Sequence, residues 1–318
     1  PVTRNGPFLK HARFRVLQPR LLCLFLAFVV RLAVDFAEET PARVRIMAAN
    51  LSSGNQQSYD PGEGLRIFQG LQPDIVLIQE FNYGKNTPSE LAGFVLAGFG
   101  AGFQLARENG ADDQLPNGII SRYPIRASGE WEDPYVSNRD FSWARVDIPG
   151  PVDLWAVSVH LHSKQRATRI SEARELVDLC RQHVPTADYL VLGGDFNAGS
   201  RSEQTISILG QVVGQRAAPA DSRGNYNTNA SRKSPLDWVL ANPALERLLT
   251  AVVIPVPPWW RNREPGGVPF AAGLVFDSRE FPCLASVAPV RKGDSGVFGM
   301  QHMAVVKDFL VPVAGTNR

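Results

Sequence analysis

The sequence predicts an α/β protein in which sheets stack on one another, and three observations carry that prediction. Apolar runs of strand length recur between Arg43 and Val311. Between two of them, Lys164–Val184 places Ile170, Ala173, Leu176, Val177, Cys180 and Val184 at spacings of three and four, the stripe of an amphipathic helix packed on a sheet. Most of the strands also begin or end on a polar residue, as the walls of a cleft at one sheet edge would. With 318 residues, 44% hydrophobic and 20% charged, the chain reads as an ordinary soluble globular protein, long enough for a sizeable core. A net charge of +2 excludes a strongly basic nucleic-acid binder and leaves room for a local basic patch.

Residues 1–40 stand apart. Lys10, Arg13, Arg15 and Arg20 precede the apolar run Leu21–Val30, which is followed by Arg31. A basic segment before an apolar run of this length fits an export signal better than a spanning helix, which needs about 20 apolar residues. Extension through Leu32, Ala33 and Val34 makes an N-terminal membrane anchor the alternative, and an apolar helix packed on the body a third. The expected location is accordingly exported, periplasmic or extracellular, or membrane-anchored; without an export signal it is cytoplasmic. Residues 41–318 show no internal repeat or linker and are expected as one domain. Cys23, Cys180 and Cys283 have no metal-site spacing, and Cys180 and Cys283 are expected as buried free thiols rather than a disulfide.

In order, Arg43–Asn50 alternates as a first strand ending on Asn50, and a turn-rich stretch leads to a short helix over Leu65–Leu71. Asp74–Glu80 is a continuous apolar strand ending on an acid. A small helix is expected over Ser89–Leu96 and a strand over Gly118–Ile125, stopped by Pro124. Phe141–Ile148 pairs with Asp153–His160 across Pro149-Gly150-Pro151, ending on His160. The helix over Lys164–Val184 carries Arg166, Arg169, Arg174 and Arg181 among Glu172, Glu175 and Asp178, a solvated, ion-paired face. Tyr189–Gly199 runs from apolar residues through Gly193-Gly194 to Asp195 and Asn197. In an extended chain these two would face the same way; an Asp/Asn/Gly turn is the other reading. A helix over Ser202–Val213, a strand over Leu236–Leu240 led by Asp237, and a last strand over Gln301–Val311 opening with His302 complete the chain. Trp259-Trp260 reads either as a lipid-facing anchor or as cover over the core.

Asn50, Glu80, His160, Asp195, Asn197, Asp237 and His302 thus share one kind of position. Oxygen donors such as Glu80 and a neighbouring amide favour Mg²⁺ or Mn²⁺. An Asp beside a His fixes its tautomer, and a second His can protonate a leaving oxygen. Together they suit metal-assisted hydrolysis of a phosphate ester.

This ordered series, with Gly194-Asp195-Phe196-Asn197 at its centre, resembles the endonuclease/exonuclease/phosphatase superfamily over about residues 43–312. The resemblance implies a four-layer α/β sandwich, two mixed sheets face to face with helices outside. It implies Glu80 as main metal ligand, with Asn50 beside it at metal or phosphate. Asp195 would orient or deprotonate the attacking water, with Asn197 holding that water and a phosphate oxygen. Asp237 would pair with His302, at phosphate or as base, and His160 would assist the leaving group. Arg139 resembles a substrate-facing arginine of the deoxyribonuclease branch, an ion pair with Asp140 being the alternative. The chain departs from the pattern in two places. Gln301 precedes His302 where relatives carry Asp, leaving Asp294 as a substitute acid, and none of Glu108, Asp112 and Asp113 clearly matches the usual Glu partner of His160.

The expected function is a divalent-metal-dependent phosphodiesterase, nuclease-like, acting on a phosphate-ester substrate such as nucleic acid. Alternatives are a phosphomonoesterase or phospholipid-headgroup phosphodiesterase, and a non-catalytic binding protein on the same fold. A monomer is expected, with membrane association through the N-terminal segment.

Overall fold

The computed structural model describes residue 1 and residues 40–53, 62–214, 216–260 and 268–313. The chain divides into two compact units, Pro1–Thr40 and Pro41–Arg318. The export-signal or anchor reading falls on the first and lies outside the described residues, as does Arg261 beside the tryptophan pair. Among the described residues no helix is long and apolar enough to cross a membrane.

In chain order the second unit begins with β1 (Ala42–Asn50), α1 (Glu63–Leu71), β2 (Ile75–Gln79), α2 (Pro88–Phe99), β3 (Gln104–Arg107), β4 (Gly118–Ser121), β5 (Ile125–Trp131), β6 (Phe141–Val146) and β7 (Leu154–His160). It continues with α3 (Arg166–His183), β8 (Tyr189–Asp195), α4 (Gln204–Leu209), β9 (Asp237–Ala241), α5 (Pro243–Glu246), β10 (Leu249–Thr250), β11 (Val252–Ile254), β12 (Val268–Phe270), β13 (Leu274–Phe276) and β14 (Ala304–Val311). A seven-stranded sheet runs β10-β14-β1-β2-β4-β3, with β13 paired to β14, and a five-stranded sheet runs β5 to β9 in sequence order. The sheets pack face to face through β1 and β2 against β7, β8 and β9, with helices outside, which is the four-layer sandwich.

Each sheet contains one parallel pair, β1 with β2 and β7 with β8. A parallel pair needs a crossover, and α1 and α3 supply the two. Parallel neighbours end at the same sheet edge, so Asn50 lies opposite Gln79, next to Glu80, and His160 lies opposite Asp195. β9 runs antiparallel to β8 and β14 antiparallel to β1. An antiparallel strand reaches that edge at its start, which is why Asp237 and His302 precede their apolar runs while the others follow theirs.

The glycine pair in β8 allows the layers to close. A Cβ on Gly193 would run into Leu77 of the facing sheet, and one on Gly194, at φ 138°, into the carbonyl of Val159. Between the sheets, Gln79 Nε2 donates to Ser158 Oγ at 2.9 Å, and Ser158 Oγ donates to the carbonyl of Ile78 at 2.6 Å. Burying side chains such as Phe68, Phe81, Phe94, Leu176 and Leu192 stabilises the layers by about 1.5–3 kcal/mol apiece.

Several expectations are corrected. The strand expected over Gly118–Ile125 stops at Ser121, whose hydroxyl turns back to the backbone of Tyr123, and the chain resumes as β5. β3, β5 and β10 to β13 were not foreseen: β3 and β10 to β13 are short, and β5 is exposed along most of its length. The helix after Ser202 is only α4. In α3, Arg169 and Glu172 are buried rather than solvated; they occupy the same three-and-four stripe as Ala173 and Leu176, and their polarity disguised it. Cys180 and Cys283 are free and buried, as expected. Trp259 is 68% exposed and so does not cover the core.

Candidate active site

Asp195 Oδ2 is the meeting point of the polar strand ends. Asn50 Nδ2 donates to it at 3.1 Å and to Glu80 Oε1 at 3.2 Å. His160 Nε2 lies 3.5 Å from it and His302 Nε2 3.6 Å. His302 Nδ1 stands 3.0 Å from Asp237 Oδ2, the imidazole bridging two carboxylates. All of these groups are buried.

Local backbone aims them. Glu80 leaves β2 with φ 53°, a left-handed conformation uncommon for Glu, which ends the strand and turns the carboxylate into the edge. Asn197 has φ 49°, and its N–H donates to Asp195 Oδ1 at 2.8 Å, an Asx turn that pins the carboxylate. The loop from Asp221 to Ser234 holds the far side: Thr228 Oγ1 accepts from the N–H of Asp237, and the Thr228 carbonyl accepts from the N–H of Met303.

Electrostatics separate the two histidines. Burial, with the charges of Arg139 and His302, holds His160 well below the usual imidazole range, so it is neutral. Burial alone would lower His302 as well, but the carboxylates of Asp237, Asp195 and Glu80 outweigh it and push it up to about 9. Asp195 is raised to about 7, chiefly by burial, with Asp237 and Glu80 adding to the rise and His302 opposing it. One carboxyl therefore changes charge near neutrality beside an imidazolium and a neutral imidazole.

The structure brings Asn50, Glu80, His160, Asp195, Asp237 and His302 together, and changes how some of them are read. Asn50 Oδ1 accepts from the N–H of Ser52 at 2.7 Å, so Asn50 turns its amide nitrogen, not an oxygen ligand, to the acids. Asn197 lies past the end of β8 at a positive φ, and its Nδ2 donates to the carbonyl of Leu161 at 2.9 Å. The guanidinium of Arg139 donates to the carbonyls of His160 and Leu161 and to Asn138 Oδ1. Its fork is filled by acceptors of the protein, and it positions the end of β7. Gln301 is exposed and joins the site only through its backbone, its N–H donating to Ser52 Oγ. Asp294 does not replace the missing acid: it takes Arg66 at 2.6 Å and 3.0 Å. Glu108 Oε2 accepts from the N–H groups of Asn117 and Asp140, and His160 Nδ1 has no partner among the described residues.

Supporting residues were missed. Glu172 accepts from the N–H of His162, and Arg169 pairs with Glu203 at 2.8 Å, whose other oxygen accepts from the N–H of Gly199. α3 thereby ties down the loops after β7 and β8. The three-and-four spacing that reaches back from Leu176 to Glu172 and Arg169 is the signal that would have found them.

For a cation the donor chemistry fits. Asp195, Asp237 and His302 offer ligand atoms within 4.8 Å of one another, Glu80 stands beside them, and Asp237 Oδ1 is buried with no hydrogen-bond partner among the described residues. Converging buried carboxylates oppose one another's ionisation, which a divalent ion would relieve.

The model of the Endonuclease/Exonuclease/phosphatase family matches residues 47–258. The chain belongs to that family. As a member of the Endonuclease/Exonuclease/phosphatase family it is a phosphoric ester hydrolase by descent. No curated protein matches its sequence. Truncated Caenorhabditis elegans TDP2 is 13% identical, with TM-score 0.59, covering 85% of this chain and 98% of that one. An endonuclease/exonuclease/phosphatase from Bacteroides vulgatus is 13% identical, with TM-score 0.56, covering 85% and 99%. Another from Beutenbergia cavernae is 17% identical, with TM-score 0.53, covering 85% and 72%. At these identities the likeness to solved structures is one of fold.

Proposed function

We propose that the protein is a Mg²⁺- or Mn²⁺-dependent phosphodiesterase, nuclease-like in its substrate. The observation that carries the reading is the convergence on Asp195 Oδ2 of Asn50, His160 and His302, with Glu80 and Asp237 one contact away.

Asp195 is the base in this reading. A carboxyl raised to about 7 is suited to taking a proton from water near neutral pH, and its Asx turn fixes the direction of attack. His302, charged and held by Asp237, stabilises the anionic phosphoryl oxygens. Neutral His160 presents Nε2 to the leaving oxygen as a hydrogen-bond donor, while the Arg139 clamp keeps its backbone in place. The carboxylates of Glu80, Asp195 and Asp237 are the groups that would hold the ion, and Asn50 cross-links the first two. When bound, the ion supplies Lewis-acid polarisation of the phosphoryl group and neutralises charge developing on it.

The test is to assay the full chain for plasmid nicking and for hydrolysis of sphingomyelin and inositol phosphates, with Mg²⁺ and after chelation, beside Asp195→Ala. Metal-dependent nicking that falls by about 10²–10⁴ in Asp195→Ala is expected. Nicking indifferent to chelator or to the substitution overturns the mechanism, and sphingomyelin cleavage without nicking replaces the substrate.

A further inference from the structure

Arg201 lies four residues after Asn197, on the loop that leaves the reacting centre. Its guanidinium carbon sits 5.1 Å from the ring centroid of Trp238 and 5.5 Å from that of Tyr226. Trp238 is itself fixed, stacked on Phe196 at 6.4 Å and 13°. Among the described residues the guanidinium has neither an ion pair nor a hydrogen-bond acceptor, although the side chain is partly buried. Ring contacts hold a guanidinium in a set orientation, but they leave its in-plane N–H fork unused, and a charge drawn out of water with an unused fork calls for an anion.

Position says which anion. Arg201, Tyr226 and Trp238 wall one pocket together with Asp237. Tyr226 stands two residues before Thr228, which holds the backbone of Asp237 and of Met303 next to His302. The fork is therefore a neighbour of the dyad and not a member of it. Tyr226 is 42% exposed, an aromatic surface beside a cation.

We propose that Arg201 binds the phosphate next to the scissile one, with Tyr226 as the ring on which the adjoining base stacks, so that the site is built for a nucleic-acid strand. This rests on the phosphodiesterase reading. A planar guanidinium matches phosphate bidentately, and a cation with an interleaved aromatic is how proteins track a single strand. An inositol polyphosphate shares the second phosphate but brings no planar ring for Tyr226.

The test compares the full chain with Arg201→Ala, Arg201→Lys and Tyr226→Ala. Arg126→Ala, on an exposed ion pair with Asp147, serves as control, and thermal melts check the fold. The substrates are a single-stranded oligonucleotide, an inositol polyphosphate and bis(p-nitrophenyl) phosphate, which has a single phosphate. Arg201→Ala should lower kcat/KM on the oligonucleotide about 10–100-fold, mainly through KM, and at least about tenfold more than on the single-phosphate diester. Arg201→Lys should recover part of the loss, Tyr226→Ala should share it on the oligonucleotide only, and Arg126→Ala should change nothing. The log–log salt slope of oligonucleotide binding should flatten by about 0.7. Equal losses on all substrates overturn the proposal, as does an unchanged salt slope; a loss confined to the inositol polyphosphate overturns the strand. Should the wild-type chain cleave none of them, the phosphodiesterase reading fails by itself. Arg201 is then judged by oligonucleotide binding in fluorescence anisotropy, where affinity unaltered by Arg201→Ala overturns it.

Discussion

Asp195 shows what a single residue acquires from its neighbours: an ordinary carboxyl becomes one that titrates near neutrality because burial and other acids penalise its charge. Gln301 shows the reverse, a residue of apparent importance that stays outside the centre. Replacing it with Asp should leave the Mg²⁺ concentration that half-saturates activity unchanged; a several-fold lower value would mean that the exposed side chain reaches the ion. Glu108 carries a separate prediction, for stability. Burial raises it from 4.5 to about 8, against the hydrogen bonds from Asn117 and Asp140. Between those values the folded protein holds a proton that the unfolded chain has released, so stability falls as pH rises through this window and levels off above it. Glu108→Gln keeps the acceptor oxygen and removes the titration. Its melting temperature should therefore gain on the wild type steadily from pH 5 to pH 8, and parallel curves would refute the assignment. The types of these residues were legible in the sequence. Their protonation was not, since it depends on groups far away in the chain.

At the scale of elements, β8 does the most. A short apolar run and its glycines together revealed a strand that delivers Asp195, but not why the glycines are needed. Leu77 enters where Gly193 lacks a side chain, and Gly194 adopts φ 138° against the carbonyl of Val159. Gly194→Ala should cost about 2–4 kcal/mol, read as a lower urea midpoint at unchanged m. A loss under about 0.5 kcal/mol would mean that the strand can shift. α3 teaches a related lesson. Its apolar stripe was plain, whereas Arg169 and Glu172 passed for surface charges because polarity was taken as a sign of exposure. Each is satisfied indoors, by Glu203 and by the N–H of His162, and a buried charge is tolerated when it is paired and hydrogen-bonded.

For the molecule as a whole, the site exists only where the two sheets meet, so an ion held there would draw on residues of both. Anything that binds the folded chain alone stabilises it, by about 2.7 kcal/mol at a hundred times its dissociation constant. Mg²⁺ should raise the melting temperature of the wild type and leave that of Glu80→Gln with Asp195→Asn unmoved, measured by differential scanning fluorimetry over a Mg²⁺ series. An equal rise in both would place the ion elsewhere.

The sequence by itself determined the strands that carry the site and the main helices of the sandwich, the glycine pair, and the set of polar residues at strand ends, because these rest on local periodicity and residue type. Even the contrast between acids that close a strand and those that open one was written there. Only the tertiary structure decided that the contrast reflects parallel and antiparallel neighbours reaching one edge. It alone decided that Asn50 offers nitrogen, that Arg139 clamps backbone, that Asp294 belongs to Arg66 and that Arg201 stands with an unused fork beside the dyad. Those outcomes depend on side-chain direction and on partners brought close by sheet register across most of the chain, and no local pattern carries that information.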